Sequence, residues 1–197
     1  MKLRAEDLIE GGRKAVDDTV HIAGSLTTLR AALDSALSAP PTLHLSGSVA
    51  NRTNIGASDL DVTIPISCPD DAMRFETWTS WRQEIFSVLS RVAIYEKCTI
   101  ENKCIRVTNS DGSTIDILPC LEVGTDEVLF WATGRDGQPQ PIYSYPALHQ
   151  KRTEQRDMDT EGSYRHYVRS IKYGKAALVD AGVITHEDAP SYFLECL

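Results

Sequence analysis

Asp59 and Asp61 stand two residues apart in an alternating stretch whose apolar set is Leu60, Val62, Ile64 and Ile66. Residues i and i+2 of a strand project from one face. The spacing therefore predicts two carboxylates side by side, turned away from the core. Held that close, both stay ionised only where cations neutralise them. Hard oxygen donors of this kind suit Mg²⁺ or Mn²⁺. Asp116 lies between Ile115 and Ile117 and faces away from the apolar set of its own stretch. If the two strands are neighbours, three carboxylates converge. Such a cluster can hold two divalent ions and activate a hydroxyl for in-line attack on a phosphate. An Asp-x-Asp pair alone is more often a solvated strand edge, so the residues ahead of it matter.

Those residues are Gly47-Ser48, which close the preceding stretch, followed by a polar turn with Thr53, Asn54 and Ile55. Glycine lets backbone approach a ligand closely. Serine offers a hydroxyl and an amide to phosphate oxygens, and a helical turn starting there points free N–H groups the same way. The dipeptide alone carries little. The ordered set of strand, Gly-Ser, turn, Asp-x-Asp and later Ile115-Asp116-Ile117 is specific.

The elements that must position these side chains follow from periodicity. Leu8, Ile9, Val16, Val20, Ile22, Leu26, Leu29, Leu33 and Leu37 give residues 3–39 a helical pattern, with Gly11, Gly12 and Gly24 arguing against one unbroken rod. Pro40-Pro41 stops it. Strands are expected over 42–47, 59–66, 91–95, 103–108 and 114–121, with a loop or short helical turn over 48–58. Asn109-Ser110-Asp111-Gly112 is a hairpin signal. A helix is expected over 70–90, where Trp78 and Trp81 read as packing residues. Residues 128–132 suit a short strand, 134–146 are turn-rich, and 148–160 form a charged helix or loop. Residues 162–181 form an amphipathic helix ended by Gly182, and another helix starts at Pro190-Ser191 and reaches Leu197. Its Phe193, Leu194 and Leu197 make an apolar stripe that expects cover from a protein partner or a further C-terminal segment. His44 and His166 read as solvated or structurally satisfied.

Composition sets the outer bounds. The chain has 197 residues, 42% hydrophobic and 24% charged, which is ordinary globular usage. Its net charge of −8 argues against strong nucleic-acid binding and suits a protein that gathers cations. The five cysteines form no CxxC pair, which points to reduced thiols and a cytoplasmic setting. No window resembles a membrane span, and the first residues lack the apolar core of a signal peptide.

The run from Gly47 to Asp61, Gly-Ser-Val-Ala-Asn-Arg-Thr-Asn-Ile-Gly-Ala-Ser-Asp-Leu-Asp, resembles the signature of the DNA polymerase β-like nucleotidyltransferase superfamily. Thr114-Ile115-Asp116-Ile117-Leu118-Pro119-Cys120 is similar to the third-carboxylate strand of its oligoadenylate synthase and cyclic GMP-AMP synthase branch. Arg169-Ser170-Ile171-Lys172-Tyr173 resembles that branch's Arg-x-x-Lys-aromatic helix, and Pro190 to Glu195 the helix after it. The most similar members are the bacterial CD-NTases of antiphage signalling operons. One position departs: Arg52 stands where the family turn often has glycine.

The resemblance implies an α+β fold with a mixed twisted sheet and a long N-terminal helix, the nucleotidyltransferase core spanning 1–146 and a C-terminal helical lobe beginning over 147–197. It implies that Asp59 and Asp61 hold two ions, Mg²⁺ or Mn²⁺, and that Asp116 holds the ion at the attacking hydroxyl. Gly47, Ser48, Lys172 and Ser191 would meet the nucleotide. The implied reaction is nucleotidyl transfer from ATP or GTP to give a cyclic or linear oligonucleotide messenger. The alternatives are modification of a small molecule, RNA or protein, and a silent NTP-binding module.

Overall fold

The computed structural model describes residues 19–55, 59–185 and 188. Helix α1 (Thr19–Ala36) buries Leu29 and Leu33 completely and runs through Gly24 without a break. The earlier part of the expected helix, residues 3–18, lies outside the described residues, as does the helix expected from Pro190. After the two prolines come strand β1 (His44–Ser46), the short helix α2 (Gly47–Asn51) and strand β2 (Leu60–Ser67).

Asp70 starts the next segment by accepting the Ala72 N–H at 2.9 Å, a cap for the 3₁₀ turn Asp71–Met73. Helix α3 (Arg74–Leu89) follows directly. Then come β3 (Tyr95–Ile100), β4 (Ile105–Asn109), β5 (Thr114–Gly124), β6 (Glu127–Thr133) and β7 (Pro139–Ser144). Two helices close the described chain, α4 (Pro146–Asp159) and α5 (Ser163–Asp180), with Gly182 at φ +67° after the second.

The seven strands form one mixed sheet in the order β1-β2-β5-β4-β3, with β6 paired to β5 and β7 to β6. Only β2 and β5 run parallel. That pair is the sheet's centre: Val62, Ile64, Ile115 and Ile117 are buried on it, and α3 packs over β5 with α1 against α3. Pro65 and Pro119 sit inside these central strands, where proline withholds a ladder donor. The indole N–H of Trp81 donates to Ile64 O at 3.0 Å and that of Trp78 to Pro119 O at 2.9 Å. The two tryptophans are thus core residues that also complete the sheet's hydrogen bonding.

Two expectations need correction. Residues 91–94 are turns closing α3, with Arg91 and Val92 N–H groups bonded to Val88 O and Leu89 O, and the strand begins only at Tyr95. The turn-rich segment 134–146 contains β7, an edge strand whose Pro139 and Pro141 are tolerated because an edge needs fewer donors.

The chain clusters into two compact units. One comprises described residues 19–47 and 59–148 and holds the sheet with α1 and α3. The other gathers residues 48–55 with the chain from 149 onward, chiefly α4 and α5.

Candidate active site

In the sheet unit, one rung crosses four strands. Ser46 on β1 pairs with Asp61 on β2, Asp61 with Asp116 on β5, and Asp116 with Arg106 on β4. Cα partners on neighbouring strands send their side chains to the same face, so Asp61 and Asp116 stand side by side. Asp59, just ahead of β2, is drawn to the same place. Arg106 Nη2 donates to Asp59 Oδ2 at 3.0 Å and to Asp116 Oδ2 at 2.6 Å, and its Nε donates to Asp116 Oδ1 at 2.7 Å. The Thr114 hydroxyl donates to the other Asp59 oxygen.

Burial is graded across the cluster: the Asp116 side chain is 17% exposed, Arg106 40% and Asp59 48%. The hydrogen bonds from Arg106 to Asp116 hold its guanidinium protonated above its ordinary range, with the Asp116 and Asp59 charges adding to this. Nearby, burial and then the Asp116 charge push the Cys104 thiol up to about 12. This cysteine stays protonated near neutrality and is no nucleophile.

Gly47 meets the cluster from below. A Cβ built there would overlap the Asp61 carboxylate, and its φ of +67° is left-handed. Glycine is required twice over, for conformation and for room.

Among the described residues, no three acidic, His or Cys side chains already form a metal cage. Two of the carboxylates close on Arg106 instead. The donors are of the kind a divalent ion takes: carboxylate oxygens from three chain positions, two of which already hold a cation between them.

In the second unit, the segment after Gly47 is tied down by α5. Arg165 Nε donates to Asn51 O and Arg169 Nη1 to Arg52 O, each at 2.8 Å. These cations cap carbonyls at the end of α2 that lack helical partners. Asp157 holds Arg165 at 2.9 Å, and Asn51 Nδ2 lies 3.2 Å from His149 Nδ1. Lys172 is buried, 6% exposed, and its Nζ donates to Thr53 Oγ1 at 3.3 Å. Thr53 N–H in turn donates to Ser48 O at 2.8 Å, so Thr53 links the two residues expected at the phosphates. Arg52 has φ +57°, a left-handed conformation that glycine would take freely. Ser191 lies outside the described residues.

Sequence reasoning missed Arg106, Arg165 and Asn51. The signal for Arg106 was present: with Asn109 opposite Ser113 in the hairpin, counting back along both strands puts Arg106 against Asp116. No local pattern marks the bond between Arg165 and Asn51, two residues far apart in the chain.

The family model for the C-terminal helical domain of cGAS/DncV-like nucleotidyltransferases matches residues 151–197. A cyclic dipurine nucleotide synthase of Elizabethkingia meningoseptica is 24% identical, the match covering 100% of this chain and 76% of the relative. A cyclic UMP-AMP synthase of Rhodothermus marinus is 25% identical over 86% of this chain and 67% of its own. Among solved structures, the CdnE cyclic dinucleotide synthase of Elizabethkingia meningoseptica with GTP and Apcpp superposes with a TM-score of 0.81, at 23% identity over 99% of this chain and 74% of that one. The Rhodothermus marinus c-UMP-AMP synthase gives a TM-score of 0.78 at 22% identity, covering 98% and 74%.

The chain has the fold of the bacterial CD-NTases, and its residues 151–197 match the helical domain of that family.

The α+β architecture and mixed sheet expected for a CD-NTase-like chain are those observed. No helix among the described residues is long and apolar enough to cross a membrane.

Proposed function

We propose that this chain is a metal-dependent nucleotidyltransferase that joins nucleoside triphosphates into a cyclic oligonucleotide messenger, acting in antiphage signalling. The reading is supported most by the pairing of Asp61 with Asp116 on adjacent parallel strands, with Asp59 linked to Asp116 through one arginine nitrogen. Relatives named for cyclic nucleotide synthesis supply the reaction class.

Asp59 and Asp61 would hold two divalent ions, Mg²⁺ or Mn²⁺, with Asp116 sharing the ion on the attacking side. Bound there, the ions supply charge neutralisation for the attacking and leaving oxygens of an in-line displacement. Asp116 orients the attacking ribose hydroxyl and takes up its proton. Its seat on a buried central strand fixes its position before substrate arrives. Asp61 is held against Gly47, which leaves the carboxylate no side chain to displace it. Ser48 and Lys172 are assigned to the triphosphate by the resemblance, Lys172 as a point charge. Base preference would depend on pocket residues beyond this set.

Incubation with the four NTPs and Mg²⁺ or Mn²⁺, followed by mass analysis of the products, tests this. Phosphodiester-linked product is expected from the parent chain. Asp61→Asn and Asp116→Asn should each bring it to background without loss of fold by circular dichroism. Product formation that survives both substitutions would remove the carboxylates from the reaction.

A further inference from the structure

Arg106 occupies an unusual position for a cation beside a candidate metal site. Its fork engages both oxygens of Asp116, through Nε at 2.7 Å and Nη2 at 2.6 Å, and the same Nη2 reaches Asp59 at 3.0 Å. A carboxylate offers two lone pairs on each oxygen, and a guanidinium that binds both oxygens in its own plane takes the pair directed between them. Those inner lone pairs are also the ones a bidentate or bridging ion needs. Arg106 and a divalent ion therefore cannot hold Asp116 in the same way at once.

We propose that Arg106 is a positioning residue of the carboxylate site: it holds Asp116 and Asp59 together as a resident cation, and divalent ions must displace it to bind. The proposal rests on the carboxylate cluster being the metal site.

Three features support it. Arg106 sits on β4 opposite Asp116, so the pair is set by strand register and not by a chance surface encounter. The guanidinium remains 40% exposed, so it can swing outward into water without unpacking the core. Arg106 is shared between two carboxylates, and removing it leaves Asp59 and Asp116 to repel one another until another cation arrives. Arg106 thus keeps the acidic side chains gathered while raising the ion concentration needed to load them.

The test is Mn²⁺ binding without nucleotide, read by the loss of free-ion paramagnetic resonance signal, for the parent, Arg106→Gln, Arg106→Lys and Asp61→Asn. Removing one adjacent positive charge near water should lower the dissociation constant by about tenfold in Arg106→Gln. Arg106→Lys keeps the charge but loses the fork, and should fall between parent and Gln. An affinity that is unchanged or weaker in both Arg106 variants overturns the proposal. If Arg106→Gln does not fold, the Lys variant decides alone, and a constant equal to the parent's overturns it. Binding in the parent that Asp61→Asn leaves untouched would instead overturn the metal-site reading, and this proposal with it.

Discussion

Gly47 is the residue on which the carboxylate geometry turns. Its left-handed φ costs any other L-residue about 1–2 kcal/mol. A methyl group there must also push the Asp61 carboxylate aside. Gly47→Ala should therefore lower stability by at least that backbone amount and weaken Mn²⁺ binding as well, whereas a purely conformational role would leave metal affinity alone. Thermal melts and the Mn²⁺ titration read the two effects separately, and an alanine variant with parental affinity would show the contact to be dispensable. The three aspartates were legible from i, i+2 spacing and from flanking isoleucines, because both express the two-fold period of a strand. Arg106 was legible only through hairpin arithmetic. Arg165 and Asn51 were not legible, since a hydrogen bond across more than a hundred residues leaves no local periodicity.

At the scale of elements, the turn after α2 shows how a non-glycine residue is accommodated in a left-handed conformation. Arg52 adopts φ +57°, and its carbonyl is held by Arg169 at 2.8 Å. A non-glycine residue in this region is strained by about 1 kcal/mol or more. Arg52→Gly should relieve that strain, while the capping bond, which uses only backbone of residue 52, persists. The expected outcome is a gain of about 0.5–1 kcal/mol in chemical denaturation, the unfolded chain's greater freedom offsetting part of the relief. A loss of stability would mean that the arginine side chain contributes more than its backbone costs. The same element logic explains which strands the sequence revealed. β4 and the start of β5 bury one face and alternate cleanly, and β2 alternates in sequence although Thr63 and Pro65 are buried too. β3 and β7 are edge strands, largely exposed, so no apolar period marks them; β3 was placed too early and β7 was lost among prolines.

For the molecule as a whole, the buried Cys120 thiol, the half-buried Cys104 thiol and the buried Tyr95 phenol set an alkaline limit on stability. Burial pushes the Cys120 thiol from its ordinary 9.0 up to about 12, with the Glu122 charge adding to it. Burial does the same for Tyr95, from 10.0 to about 12, and for Cys104. In each case the folded chain keeps its proton to higher pH than the unfolded chain does. Between the two values the native state binds more protons, so raising pH pulls the equilibrium toward unfolding. The stability these groups contribute is whole below about pH 9, the ordinary thiol value, and is lost as pH climbs toward 12. Each differing proton steepens the fall by up to about 1.4 kcal/mol per pH unit. Urea midpoints measured at pH 8, 9, 10 and 10.5 should therefore fall progressively. Cys120→Ala should start lower at pH 8, because it leaves a small cavity in the core, yet decline less steeply, because one linked proton is gone. Identical slopes for the variant and the parent would mean that Cys120 ionises alike in both states, and that the alkaline loss comes from elsewhere in the chain.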